Sequence, residues 1–305
     1  MIAMKKKSSK PKGLDDRIFD IVALFICALV LLLVLYPLWY VIICSFSDPN
    51  AVTGGQVVFW PVGFTMEGYA TIMDYEPIWI GYRNTIYYTV VGTGFNLFLT
   101  LPCAYALARH DFKGRNFIMM LFTFTMFFSG GTIPTYMVMK DLGVMNTVWA
   151  MILPYGVNVM NLIIARTFFQ NSVPYEIQEA AMIDGCSNTK MFLQIVMPLA
   201  MPMIAVIMLY YMVAHWNVYF RALLYMSDPN KYPLQLYLRN ILLFDQMLDL
   251  MEGDAEAIEA MTRRLQLRAS IKYGIVVVSS LPVLIIYPLL QKYFAKGIMV
   301  GAVKG

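Results

Sequence analysis

Residues 21–44 read IVALFICALVLLLVLYPLWYVIIC, and no charged side chain interrupts them. A bilayer core about 30 Å thick is crossed by roughly 20 apolar residues in a helix rising about 1.5 Å per residue. Five further blocks pass the same test: Thr85–Ala108, Phe117–Met139, Thr147–Ala165, Leu199–Phe220 and Tyr273–Leu290. None of the six holds Asp, Glu, Lys or Arg. Helices are the expected form, because the edge of an open sheet leaves backbone polar groups unsatisfied in lipid. The predicted fold class is therefore all-α: a polytopic membrane protein of six transmembrane helices within 19–296. Composition agrees, since 59% of the 305 residues are hydrophobic and 14% charged, where soluble domains carry about 25% charged residues. Gly130, Gly131, Pro134, Pro154 and Gly156 fall inside the blocks; such residues break soluble helices but are tolerated in membrane helices as kinks.

Lysine and arginine set the orientation. Lys5, Lys6, Lys7, Lys10, Lys12 and Arg17 precede or open the first block, so 1–18 reads as a basic cytoplasmic tail. Arg109, Lys113 and Arg115 join the second and third blocks, whereas 45–82 contains neither residue. By the positive-inside bias the amino terminus is cytoplasmic. Six crossings return the carboxyl-terminal tail, 297–305, to the same side. The loop 221–270 is then external despite its mixed charge, as long loops can be, and Asp254–Arg268 within it is expected to be a solvated amphipathic helix. The net charge of +4 reports this topology and implies no nucleic-acid partner. The first block is too long for a signal-peptide core, and no A-x-A site follows it. Four scattered cysteines and two histidines offer neither a disulfide framework nor a metal site. Ser-Asp-Pro-Asn occurs at 47–50 and again at 227–230; Asp before Pro favours turns, so the recurrence reads as turn chemistry.

Between the fourth and fifth blocks, residues 176–198 read EIQEAAMIDGCSNTKMFLQIVMP. Pro174 suits the first turn of a helix, and Glu176 and Glu179 lie early, where the helix dipole favours negative charge. Ile177, Ala180, Ala181 and Asp184 recur at i, i+3, i+4 and i+7, along one face. The paired alanines make that face thin enough to lie in a groove of another protein. Gly185 permits the positive φ of a helix stop, and Ser187 or Asn188 can cap a second helix running to Pro198. The expected product is a helix–turn–helix lever joined to a membrane helix.

Glu179-Ala180-Ala181, Gly185, Ile195 and Pro198 stand at the spacing of the EAA loop of ABC importer permeases, and the chain resembles that family. Met197 stands where the family usually has Leu, and Cys186 where it has a small residue. Trp216-Asn217-x-Tyr219, Ser227-Asp228-Pro229 and Tyr232-Pro233-Leu234-Gln235 resemble the end of the fifth span in maltose-type carbohydrate permeases. The tail from Gln291 through Gly297 and Gly301 to Lys304 is similar to theirs. Among those permeases the chain looks like the Gram-positive branch assigned to complex or acidic oligosaccharides such as aldouronates. The resemblance implies a type I ABC importer permease fold in the cell membrane. Its implied partners are a second homologous permease subunit, an ABC ATPase dimer, an extracytoplasmic solute-binding lipoprotein and a sugar or oligosaccharide. It implies that Glu179, Ala180, Ala181, Asp184, Gly185, Ile195 and Pro198 form the ATPase contact, and that Gly297, Gly301 and Lys304 reach the ATPase through the tail.

Polar and aromatic residues in or near the blocks are candidates for the translocation path: Asn158, Asn161, His215, Trp216, Asn217 and Tyr219. Intramembrane polar groups face a bundle interior or a wet cavity, although helix–helix hydrogen bonding uses the same residues. The blocks hold no carboxylate, which argues against ion-coupled transport, and no H-E-x-x-H or acidic cluster marks a membrane-embedded enzyme. No G-x-x-x-x-G-K-[ST] loop occurs, so no cofactor is expected in this chain; ATP and Mg belong to a separate ATPase. A permease for a peptide or polyamine is the alternative within the same class.

Overall fold

The computed structural model describes residues 14–172, 175–248, 271–286 and 288. Among them the regular structure is helical, with no strand. The chain divides into two compact units, Met1–Thr71 with Asp254–Val277, and Ile72–Gly253 with Val278–Gly305.

The first unit is built on the helix Leu14–Ser45, whose apolar window is wholly exposed. A helix apolar on every side needs lipid or another protein around it. Its carboxyl-terminal end is tied down by hydrogen bonds. The Ser47 hydroxyl donates to the Ile43 carbonyl at 2.7 Å and accepts from the Val62 amide at 3.2 Å, while the Trp39 indole donates to the Phe59 carbonyl at 3.0 Å. Asp48 caps the short helix Pro49–Thr53, accepting from the Asn50 amide at 2.7 Å. In the second unit Asp228 does the same for the turn Pro229–Lys231, accepting from the Asn230 amide at 3.0 Å. The repeated Ser-Asp-Pro-Asn is thus one N-capping device used twice.

The spine of the second unit is the helix Glu76–Ala108, the other unbroken helix long and apolar enough to cross a membrane among the described residues. Thr85, Thr89, Gly92, Asn96 and Thr100 recur three or four residues apart and are buried along it, a stripe at the helical period. The helices Val159–Ser172 and Met201–Trp216 pack on this spine. Leu101, Ala104 and Leu107 share a core there with Leu162, Ala165, Ile207 and Tyr211. The helix Leu234–Leu248 closes onto the spine at Gly81, where a Cβ would stand 2.9 Å from the Leu234 Cα. The Thr85 hydroxyl accepts from the Leu234 amide beside it, at 2.8 Å.

Three of the expected spans are not single helices. The third block is the pair Arg115–Phe127 and Thr132–Asp141, bent by 115°; the fourth is Val148–Tyr155 and Val159–Ser172, bent by 56°; the fifth is Asn188–Leu199 and Met201–Trp216, bent by 84°. The first break has Gly131 at φ +87°, and the second holds Pro154 and Gly156. At the third, Pro202 has no N–H for the carbonyl four residues back, and its ring clashes there. Ahead of Pro198 the chain adopts a π turn, Phe192–Val196, the wider winding that accommodates a helix under strain. The last block carries the shorter helix Ile271–Ile286. Two unbroken helices and three bent pairs therefore replace the expected set of continuous spans among the described residues. Most of the basic tail, Pro174, Asp254–Arg268, and the tail residues Gly297, Gly301 and Lys304 lie outside the described residues.

Candidate functional site

The segment 176–198 folds as helix, tight turn, helix. The first helix is Tyr175–Ile183, with Glu176 in its first turn. It ends in a Schellman motif. Gly185 sits at φ +69°, its amide donates to the Met182 carbonyl at 3.0 Å, and the Cys186 amide donates to the Ala181 carbonyl at 2.9 Å. A Cβ on Gly185 would meet nothing within 4 Å, so glycine answers the backbone conformation alone. Of the two candidate caps, Ser187 is the one used, accepting from the Lys190 amide at 3.3 Å. Helical winding then continues to Leu199.

Ile177, Glu179, Ala180, Met182 and Asp184 are exposed, and Ile183 is 86% exposed at the tip. Ala181 departs from the predicted common face: it is only 7% exposed and belongs to the buried cluster of Tyr105, Phe169, Met191 and Val196. Adjacent residues on an α-helix point about 100° apart, so Ala180 looks outward while Ala181 lets the helix lie close on the bundle. Ile195 packs, partly buried, against the same cluster, and Pro198 is exposed just before the bend.

Arg109 fastens this elbow to the spine. Its Nη1 donates to the Asn188 side-chain oxygen at 3.0 Å and to the Tyr105 hydroxyl at 3.1 Å; its Nε and Nη2 hold Asp111 at 2.8 and 2.5 Å. The hydrogen bond from Arg109 holds the Asp111 carboxyl below the usual carboxylate range, and the guanidinium is raised in return. Arg166 and Arg115 donate to the Leu107 and Arg109 carbonyls at 3.1 and 2.9 Å, which supplies cations and donors where a helix end leaves bare carbonyls.

Deeper in the bundle, three helices meet at a polar hub. The Asn96 amide nitrogen donates to the carbonyls of Tyr155 and Gly156 at 2.6 and 2.8 Å, the groups exposed by the break in the fourth span. Its oxygen is therefore the acceptor for His215 Nε2, 2.6 Å away, which places the imidazole proton on that nitrogen. The His215 ring is fully buried against Gly92. The Tyr211 hydroxyl joins Thr100 at 2.7 Å and accepts from the Asn158 amide at 3.0 Å. The Asn158 side chain caps Val159–Ser172 by accepting from the Asn161 amide at 3.0 Å, and donates to the Tyr155 hydroxyl at 2.9 Å. Of the six path candidates, His215, Trp216 and Asn161 are buried and Asn158 is partly buried. The Trp216 indole donates to the Ser279 carbonyl at 3.2 Å. The His215 and Trp216 side chains thus bond across the bundle, and the Asn158 side chain bonds locally at the start of its helix. Asn217 and Tyr219 remain exposed.

Asn96, Thr100, Tyr211 and Arg221 were not among the sequence candidates. The threonine and asparagine stripe at helical spacing was a usable signal. Arg221 was hidden by position, one residue beyond the block that ends at Phe220. It lines an open, shallow pocket of about 270 Å³ with Ser129, Thr132, Thr135, Phe220 and Tyr225.

A broken-helix membrane bundle carrying an exposed helix–turn–helix elbow is the architecture of a transport permease. Residues 77–300 match the family described as binding-protein-dependent transport system inner membrane component, and the chain belongs to that family. Over 96% of its length it is 38% identical to the whole of the polygalacturonan/rhamnogalacturonan transport system permease protein YtcP of Bacillus subtilis. It is 40% identical to Protein LplC of the same organism, over 95% of this chain and 96% of that one. Among solved structures, a chain of a bacterial ABC transporter involved in the import of the acidic polysaccharide alginate superposes with a TM-score of 0.83 at 33% identity, covering 94% of this chain and all of that one. The fold is that of an ABC importer permease, and the chain is a membrane component of such a transporter.

Proposed function

We propose that this chain is one of two homologous permease subunits of an ATP-driven importer of oligosaccharides, seated in the cell membrane with both termini in the cytoplasm. The observation that carries this reading is the elbow: an exposed helix, a Schellman stop and a second helix that joins the 201–216 helix through a short 84° bend. A displacement of Tyr175–Ile183 is thereby passed to the bundle as a rigid-body movement. In this account the exposed Glu179, Ala180, Ile183 and Asp184 meet an ATPase subunit, and the ATPase binds ATP and Mg. A solute-binding lipoprotein delivers the sugar to the opposite face. ATP shifts such an equilibrium only if the ATPase contact has different affinity for the inward-open and outward-open bundles, so the elbow and its Arg109 tether must transmit that difference. The sugar class draws support from the relatives named for galacturonan and alginate transport.

Two measurements test this. Glu179→Lys and Gly185→Asp should abolish uptake and weaken co-purification with the ATPase, while the chain still reaches the membrane. A single cysteine at Ile183, in a background without the native cysteines, should react with an impermeant maleimide in inside-out but not right-side-out vesicles. Labelling from the outside would refute the coupling role.

A further inference from the structure

We propose that Arg221 and its pocket form a carboxylate-reading station for uronate residues of the transported oligosaccharide; this deepens the carbohydrate reading above and rests on it. The pocket lies where the third span breaks. Its walls are the 129–135 segment on one side and the helix Phe220–Tyr225 on the other. Arg221 Nη1 donates to the Met151 carbonyl at 2.6 Å, and the guanidinium lies 5.1 Å from the centre of the Tyr155 ring. The charged group is thus held on one side while the rest of its planar donor fork stays available to the pocket.

The charge itself needs an explanation. Among the described residues the ion pairs are Arg109–Asp111 and Lys231–Asp228, and no carboxylate pairs with Arg221. A partly buried cation without a counter-charge is costly, and an ionisable group beside the apolar spans is by default functional. A planar guanidinium matches a carboxylate in bidentate geometry. The surroundings suit the remainder of a sugar acid. Ser129 and Thr132 bring hydroxyls, and Phe220 is an exposed aromatic face. The first amides of Thr132–Asp141 receive no side-chain cap from Gly131, so they add the positive end of a helix dipole. Thr135 contributes bulk only, because its hydroxyl is spent on the Gly131 carbonyl at 2.8 Å. A neutral sugar would use the hydroxyls and the ring but would leave the arginine unpaired.

The test is uptake by cells that carry the complete importer, with Arg221→Gln, Arg221→Lys or Thr132→Val in the chromosomal gene. The substrates are radiolabelled trigalacturonate and its fully methyl-esterified, neutral counterpart. Each variant is compared with wild type on each substrate, alongside membrane abundance and ATPase co-purification. Arg221→Gln should lower trigalacturonate uptake about tenfold or more, the scale of one lost charge-assisted pair, and leave the ester within about twofold. Arg221→Lys should fall between, since it keeps charge and loses the fork. Thr132→Val leaves the arginine and its anchors in place, removes a hydroxyl that both trimers would use, and should lower uptake of both by a few fold without changing the preference for the acidic one. Unchanged trigalacturonate uptake in Arg221→Gln overturns the station and leaves the carbohydrate reading standing. Equal loss on both substrates assigns Arg221 to the bundle and overturns it too. Equal loss together with loss of the ATPase points to a carboxylate of a partner subunit and likewise overturns the station. Wild-type cells that take up neither trimer overturn the station and leave the broader oligosaccharide reading to the ATPase and vesicle-labelling tests above.

Discussion

Gly92→Ala probes a very close approach in the bundle. A Cβ at this position would stand 2.5 Å from His215 Cε1 and 2.6 Å from Nε2, distances that real Cβ atoms do not occupy. The imidazole cannot retreat without leaving Asn96, and Asn96 is itself held by the Tyr155 and Gly156 carbonyls. Overpacking a tight core costs about 1–3 kcal/mol, and the lost buried hydrogen bond adds roughly 0.5–1.5 kcal/mol. Alanine in a helix interior returns about 0.5–1 kcal/mol over glycine. The net expectation is a destabilisation of roughly 0.5–4 kcal/mol, centred near 2, from these terms. Gly94, two residues along the same helix, is the internal control. Its Cβ would meet nothing within 4 Å, so Gly94→Ala should be neutral or slightly stabilising. Thermal unfolding of the detergent-solubilised complex should therefore rank Gly94→Ala at or above wild type and Gly92→Ala clearly below it. In a His215→Ala background, where the ring is gone, Gly92→Ala should cost little. Equal melting of Gly92→Ala and Gly94→Ala in the native background would refute the close packing of His215 on the spine.

Three further outcomes follow from the elbow and its tether. At Gly185, whose strain is backbone alone, Gly185→Asn should retain more sugar uptake than Gly185→Val, because an L-residue in the left-handed region costs about 1–2 kcal/mol and asparagine tolerates it best. Ile183→Asp should release the ATPase on co-purification without lowering the melting temperature, whereas Ala181→Leu should lower the melting temperature through overpacking by about 1–3 kcal/mol; the opposite pattern would mean that the two faces are misassigned. Asp111→Asn should weaken stability by no more than about 1 kcal/mol, since the carboxylate is open to solvent and screened, although the Arg109 side chain that holds it is mostly buried. Because the Asp111 carboxyl is depressed in the fold, its contribution is complete above the ordinary carboxylate range and fades only as pH falls through the lowered value. The difference between Asp111→Asn and wild type should accordingly be the same at pH 7 and pH 6, and thermal melts at the two values check it.

Features that depend on neighbours along the chain could be read from the residues directly. Hydropathy over a window of one helix located the six apolar blocks, because lipid rewards continuous apolar surface and excludes unpaired backbone. Capping and turn chemistry act over three or four residues. The turns at the two Ser-Asp-Pro-Asn stretches, the Gly185 stop and the helix on either side of it were therefore legible in the residues, while the capping roles of Asp48 and Asp228 came from the structure. Which way those elements face, and where they break, was settled by packing. The Ala181 burial needed the bundle beneath it; periodicity placed both alanines on one broad face but could not say where its edge lay. The fates of His215 and Trp216 turned on partners 119 and 63 residues away, and a polar residue in an apolar block looks the same whether it awaits a sugar or a helix. Arg221 became conspicuous only when the fold placed it in a pocket where no carboxylate among the described residues meets it. Local rules dictate which segments form helices, since their hydrogen bonds close within the segment, while side chains acquire their roles from contacts that sequence spacing does not encode.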